Sequence, residues 1–251
     1  MTDRLLDRQA SLLAHLTSSA AIFGDGDAPA DQCLAGMQPA LLRLEAKFSH
    51  RKRMEKIAAV LPRTFRLLGA SLDSIVREFT ESCPPTEIGR LANARQFYAV
   101  LARQWSHTSS QPPLLPYLPD VAALEFAFAE VRCEERADPP EQKAARALRA
   151  TPARLVRCDP ALRLVRCAYD VRALFEAVRP VAAAPIKRDT HLAISLHPDG
   201  EQVQVIELSP AIFELLASLQ AWDEMSKLGP PTALTALLQE LASRGLIEVR
   251  T

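Results

Sequence analysis

The stretch His191 to Pro210, HLAISLHPDGEQVQVIELSP, decides the fold class, because the chain leaves helical periodicity for strand periodicity there and then returns to it. HLAISLH (His191 to His197) and QVQVIEL (Gln202 to Leu208) read as alternating segments, the pattern of strands with one face against a core. Between them, His197-Pro198-Asp199-Gly200-Glu201 supplies Asp-Gly, whose tolerance of positive φ closes a β-hairpin. Ser209-Pro210 follows as an N-cap with a first-turn proline. Ile212, Phe213, Leu215, Leu216 and Leu219 then repeat at core-facing helical spacing.

Working outward, ARLVRC (Ala153 to Cys158) and LRLVRC (Leu162 to Cys167) flank Asp159-Pro160 and read as two further strands. Arg154, Arg157, Arg163 and Arg166 then lie either on the outer face of strands with one buried face, or on a surface that meets an acidic peptide or partner. A last helix from about Thr232 to Ser243 ends at Gly245, and LIEVR (Leu246 to Arg250) is a closing strand. The expected fold class is therefore α+β: an all-helical N-terminal domain over residues 1–112, then a small winged-helix-like α+β domain over 113–251, with helices on one side of a small sheet.

The N-terminal part has no strand signal. Leu5, Leu12 and Leu16 share a helical face, and GDGDAPADQ (Gly24 to Gln32) reads as a surface turn that lacks the later glutamate of a calcium loop. Pro62 starts a new helix or kinks the one running from Pro39, Gly69 is a C-cap, and Leu72, Ile75, Val76 and Phe79 mark the next helix, stopped by Pro84-Pro85. A helix from Thr86 or Glu87 to Trp105 precedes the linker-like HTSSQPPLLP (His107 to Pro116). Another opens at Asp120, with Leu124, Phe128 and Val131 in register. Asp138-Pro139-Pro140 breaks the chain before a short alanine-rich helix that ends near Ala150.

Composition excludes several functions. Lys plus Arg and Asp plus Glu each number 30, so the net charge of zero argues against a protein wrapped in nucleic acid. A charged, amphipathic N-terminus and the lack of an 18-residue apolar run predict a soluble cytoplasmic protein with no membrane partner. The five cysteines lack a CxxC pair and are expected to be small buried side chains. No glycine-rich phosphate loop, GxSxG or HExxH occurs, and His191 and His197, six apart, are too distant to chelate one metal. Charge is uneven: Arg43 to Arg66 holds eight cations against two glutamates, net +6, and Asp120 to Glu141 is net −5. The basic run is a docking face for an acidic partner or for phosphate backbones, or else a solvated helix face.

Two segments, LPRTFRLLGASLDSIVREFTESCPP (Leu61 to Pro85) and PYLPDVAALEFAFAEV (Pro116 to Val131), resemble the bacterial family long labelled as a DNA-binding domain. Members are similar to the partner subunits of multinuclear non-haem iron-dependent oxidative enzymes, the methanobactin-pathway partner among them. The hairpin and ELSPAIFELLASL also look like the C-terminal half of such proteins, which resembles a peptide-recognition element. The resemblance implies a non-catalytic subunit that binds the leader of a ribosomally made precursor peptide and presents its cysteines to the iron enzyme. It implies no cofactor in this chain, with iron in the heterodimeric partner.

An extended peptide can join a sheet edge as an added strand. The candidate edges are 191–197, 202–208 and 246–250, and the candidate peptide-binding residues are His191, Ala193, Ser195, Gln202, Gln204 and Ile206, with Leu238 on the flanking helix. Candidate partner-interface residues are Arg51, Arg53, Lys56, Arg63, Arg66, Tyr117 and Asp120. The rival reading, a DNA-binding regulator, needs a basic recognition helix. TALTALLQELASR offers only Arg244, at its end.

Overall fold

The computed structural model describes residues 2–24, 32–107, 115–133, 155–176, 184–197, 202–225 and 231–250. The acidic-glycine loop (25–31), most of the linker (108–114), the acidic positions from Glu134 to Glu141 with the alanine-rich helix, Arg154, and the Pro198–Glu201 turn lie outside these. The chain is α+β. It forms two compact units, Met1–Phe126 and Ala127–Thr251. The division falls within a helix, and the sequence-based boundary at 112/113 lies outside the described residues.

The first unit is helical: α1 (Thr2–Thr17), α2 (Ser19–Phe23), α3 (Pro39–Val60), α4 (Pro62–Leu68), α5 (Leu72–Ser82), α6 (Arg90–His107) and the start of α7 (Leu118–Cys133). Proline places the boundaries. Pro39 and Pro62 each occupy a first turn, where a missing N–H costs nothing. Pro62 thus starts a new helix, with Leu61 completing α3 and preceding α4. Gly69 ends α4 at φ +51°, and one 3₁₀ turn leads into α5. α6 begins at Arg90 rather than Thr86 or Glu87, because residues 83–89 run without helix after the two prolines. Ile57, Leu61, Leu68, Phe79, Phe97 and Leu101 form the buried centre of the unit. Phe97 meets Phe79 edge-on at 5.2 Å and Phe65 at the same distance.

Among its described residues the second unit holds two antiparallel sheets where the sequence suggested one. β1 (Leu155–Cys158) lies between β5 (Asp223–Glu224) and β6 (Ile247–Arg250). The other sheet has the order β2 (Arg163–Asp170), β3 (Ile186–Leu196), β4 (Val203–Glu207). The two RLVRC copies part company at Asp159-Pro160. The Cys158 and Asp159 N–H groups donate to the Leu219 and Leu246 carbonyls, and Asp159 Oδ1 accepts from Ala161 N–H at 2.8 Å. That anchored turn sends β2 into a separate sheet.

Among the described residues the unit also holds helices α8 (Ala173–Glu176), α9 (Pro210–Ser218) and α10 (Pro231–Ser243). Ser209 caps α9 through Ile212 N–H. α10 ends in a Schellman arrangement: Gly245 at φ +68° donates to Ala242 O, and Leu246 donates to Leu241 O. Leu246 thereby enters the core with Val156, Ala193, Leu216, Leu238 and Leu241.

Candidate functional site

β3 is the central strand of its sheet, so the three candidates on it are not edge residues. His191, Ala193 and Ser195 are buried: Ala193 faces Leu164 on β2 and Ile206 on β4, His191 faces Arg166 on β2, and Ser195 faces Gln204 on β4. The His191 ring packs edge-on against Phe213 of α9 at 5.0 Å. Leu238 is fully buried in the core and offers nothing to a guest. The sequence could not fix the strand order, which depends on β2 returning across a long connection to pair with β3.

β4 does end its sheet among the described residues, and its geometry shows which atoms are available. His197 N–H donates to Gln202 O and Leu208 N–H to His191 O. The alternation of an antiparallel ladder then turns the main-chain groups of Gln202, Gln204, Ile206 and Leu208 toward β3. Those of Val203, Val205 and Glu207 point away from it. Gln204 Nε2 donates to Ser195 Oγ at 2.8 Å, and Ile206 packs on the core. Of the candidates on this edge, Gln202, Gln204 and Ile206 face inward along the backbone, and their neighbours face out.

The other terminal strands differ. β2 carries Arg163 and Arg166 and opposes a register shift between Cys167 and Tyr169. Arg163 donates to Glu130 at 3.1 Å and to the Pro160 and Leu162 carbonyls. Beyond β2, Arg172 and Arg188 share Asp170 and Glu207, with N···O distances from 2.6 to 3.3 Å. The hydrogen bond from Arg172 holds the Asp170 carboxyl well below the usual carboxylate range. In the first sheet, Arg157 pairs with Glu248 of β6 at 2.6 Å, and Arg157 and Arg250 both lie over the Trp222 ring, at 4.6 and 4.2 Å. The described RLVRC arginines Arg157 and Arg163 thus have carboxylate partners of their own, and Arg166 approaches Asp189.

In the N-terminal unit the candidate interface divides. Arg51 and Arg66 are exposed, Arg51 pairing with Glu55 on its own helix at 3.6 Å. Lys56 Nζ donates to Ile88 O at 3.0 Å, and Tyr117 is half-buried. Arg53 and Asp120 are buried, each only 9% exposed, so neither is a surface contact. Arg53 shares the inward face of α3 with Leu42, Ala46 and Ile57, a spacing that carried the signal. Its Nε, Nη1 and Nη2 donate to Asn93 Oδ1, Cys83 O and Gln96 Oε1, each at 2.8 Å, and its guanidinium lies 4.3 Å from the Phe79 ring centre. Arg63 donates its backbone N–H to Glu125. On the outer face of α3, Leu41, Leu44 and Phe48 are exposed, and Lys52 lies 4.2 Å above the Phe48 ring.

Cys158 and Cys167 are buried as expected, Cys83 is half-buried, and Cys33 and Cys133 are exposed, which corrects the expectation for those two. Burial pushes the Cys158 thiol up to about 12, so it is a packing residue and not a thiolate. No helix of the described residues is long and apolar enough to cross a membrane, and no group of three or more His, Cys, Asp or Glu among them could hold a metal ion. Compared with known proteins, the chain matches no family model and no curated sequence.

Proposed function

We propose that this chain is a non-catalytic accessory subunit of ribosomal peptide natural-product maturation. Its C-terminal unit takes the extended leader of a precursor peptide as an added strand on β4. Its helical unit docks the iron-dependent oxidative enzyme that modifies the peptide's cysteine-containing core, and the iron belongs to that enzyme. The observation that carries the reading is the character of β4. Four of the five residues of β4, Val203, Gln204, Val205 and Ile206, are uncharged and without proline or bulge, and they end a sheet among the described residues, while the fifth, Glu207, is ion-paired with Arg172 and Arg188. Proteins ordinarily blunt such an edge with charge, proline or a bulge, and β2 here carries Arg163 and Arg166. An edge left plain suits strand addition, in which main-chain bonds give affinity and alternate side chains give selectivity.

Two further features favour the reading. Leu41, Leu44 and Phe48 form an exposed apolar row on α3 next to Arg51 and Lys52, a composition that suits a protein interface. Residues 231–243 of α10 contain no Lys or Arg, which disfavours a groove-reading helix.

The test uses the full chain and the synthetic leader of a cysteine-containing precursor encoded beside it. Binding is expected to slow hydrogen exchange at the Val203, Val205 and Glu207 amides. Val205→Pro removes an outward N–H and is expected to weaken binding at least tenfold. Undiminished binding by that variant, or protection centred on another strand, overturns strand addition on β4. Salt-sensitive binding to random duplex DNA, without peptide affinity, overturns the accessory role.

A further inference from the structure

The helical unit contains a cavity of about 310 Å³, at the small end of the range that holds small ligands. Leu16, Ile22 and Ile88 give it apolar walls, and Lys52, Arg53 and Lys56 line it with positive charge. Among the described residues Glu87 is the one carboxylate in the lining, and it is exposed.

Arg53 is the unusual member. It is buried, yet every hydrogen bond it makes goes to a neutral acceptor: an asparagine, a glutamine and a backbone carbonyl. Burial pulls its guanidinium down to about 10. A buried charge is normally matched by an opposite one, because desolvation is costly and neutral acceptors recover only part of it. A guanidinium has five N–H donors, and three acceptors leave two uncommitted. Lys56 likewise spends a hydrogen bond on a carbonyl, that of Ile88. His50, edge-on to Phe23 at 5.3 Å, also lines the cavity, and burial together with Arg53 lowers its pKa. Among the described residues, the site is therefore preorganised for negative charge and holds only one carboxylate against three cations.

We propose that this cavity binds a small organic carboxylate, with the anionic end at Arg53 and Lys52 and an apolar stem against Leu16, Ile22 and Ile88. An organic carboxylate suits it better than phosphate, because the volume is small and the Leu16, Ile22 and Ile88 walls need an apolar stem that phosphate lacks. The site lies within the N-terminal unit and stands or falls independently of strand addition on β4.

The experiment titrates full-length protein with hexanoate, hexanamide and inorganic phosphate while following the His50 ring proton resonances. Hexanoate is expected to give saturable shifts, with hexanamide and phosphate at least tenfold weaker. Lys52→Glu, an exposed substitution that spares the Arg53 network, is expected to weaken hexanoate about tenfold at an unchanged melting temperature. No saturable hexanoate shift, equal binding of hexanamide, or tighter binding of phosphate overturns the proposal. So does a Lys52→Glu variant that binds hexanoate as well as the parent.

Discussion

Glu125 joins two stretches of chain that lie 62 residues apart, and it explains why the Pro62 and Leu124-Glu125 segments belong together. Its carboxylate accepts from the Arg63 and Thr64 N–H groups and from the Thr64 hydroxyl, at 2.7 to 2.8 Å. Those N–H groups are orphans at the start of α4, where Leu61 supplies no side-chain cap, so a residue of α7 caps another helix. Burial is the larger influence on Glu125 and raises its pKa, while the hydrogen bonds from Thr64 and Arg63 pull the other way. Glu125→Gln keeps the shape but offers one acceptor oxygen where two serve, and it is expected to cost about 2–3 kcal/mol. A raised folded-state pKa contributes stability that is complete below the ordinary carboxylate pKa and is lost as pH rises through the folded value. The gap between parent and Glu125→Gln should therefore be widest in acid and narrow toward neutrality. Urea melts at a series of pH values check it, and a gap that widens with pH would contradict the raised pKa.

At the scale of elements, punctuation was legible and order was not. Pro39, Gly69, Ser209-Pro210 and Gly245 each act on their own neighbours, so the sequence alone places the starts of α3 and α9 and the ends of α4 and α10 within a residue or two, while at Pro62 a new helix and a kink are equally readable. The hairpin strands β3 and β4 were legible for the same local reason. The position of β3 between β2 and β4, and the parting of β1 from β2, depend on pairing between distant segments that no periodicity encodes. The candidate site inherits that division. Its edge was among those named, but the outward residues are Val203, Val205 and Glu207, since parity follows from which pairs exchange hydrogen bonds. Gly69 gives the cleanest test of local punctuation. At φ +51°, ψ −125° an L-residue is strained, yet a Cβ there would meet nothing within 4 Å. Gly69→Ala is expected to cost about 1–3 kcal/mol through the backbone alone. Gly89→Ala, with no positive φ and an ordinary 3.8 Å contact to Ala92, is expected to stay within about 0.5 kcal/mol. Chemical melts of both variants decide it, and equal losses would remove the backbone explanation.

Across the whole molecule the neutral balance of 30 against 30 is achieved by local matching within each unit. In the C-terminal unit Arg157, Arg163, Arg172 and Arg188 each meet a carboxylate of that unit. In the N-terminal unit part of the basic run is used internally: Arg51 pairs with Glu55, Arg63 lies 3.9 Å from Glu125, and Arg53 turns inward to neutral acceptors. A one-sign run in sequence therefore overstates the charge offered to a partner, and three of its cations, Lys52, Arg53 and Lys56, line one cavity. The cysteines report on the two units separately. Cys33 and Cys83 belong to the first, and Cys133, Cys158 and Cys167 to the second. In native protein near pH 8, Cys33 and Cys133 are expected to react with iodoacetamide as exposed thiols do. Cys158 and Cys167 are expected to react only as the C-terminal unit opens, since both are buried and burial keeps Cys158 a neutral thiol. Pulsed alkylation across a urea series, read by peptide mass spectrometry, should show Cys158 and Cys167 becoming reactive together at one midpoint. Cys158 modified at the rate of Cys133 without denaturant would mean that the core around Val156, Leu219 and Leu246 is not closed, and that β4 therefore has no firm sheet on which to receive a guest strand.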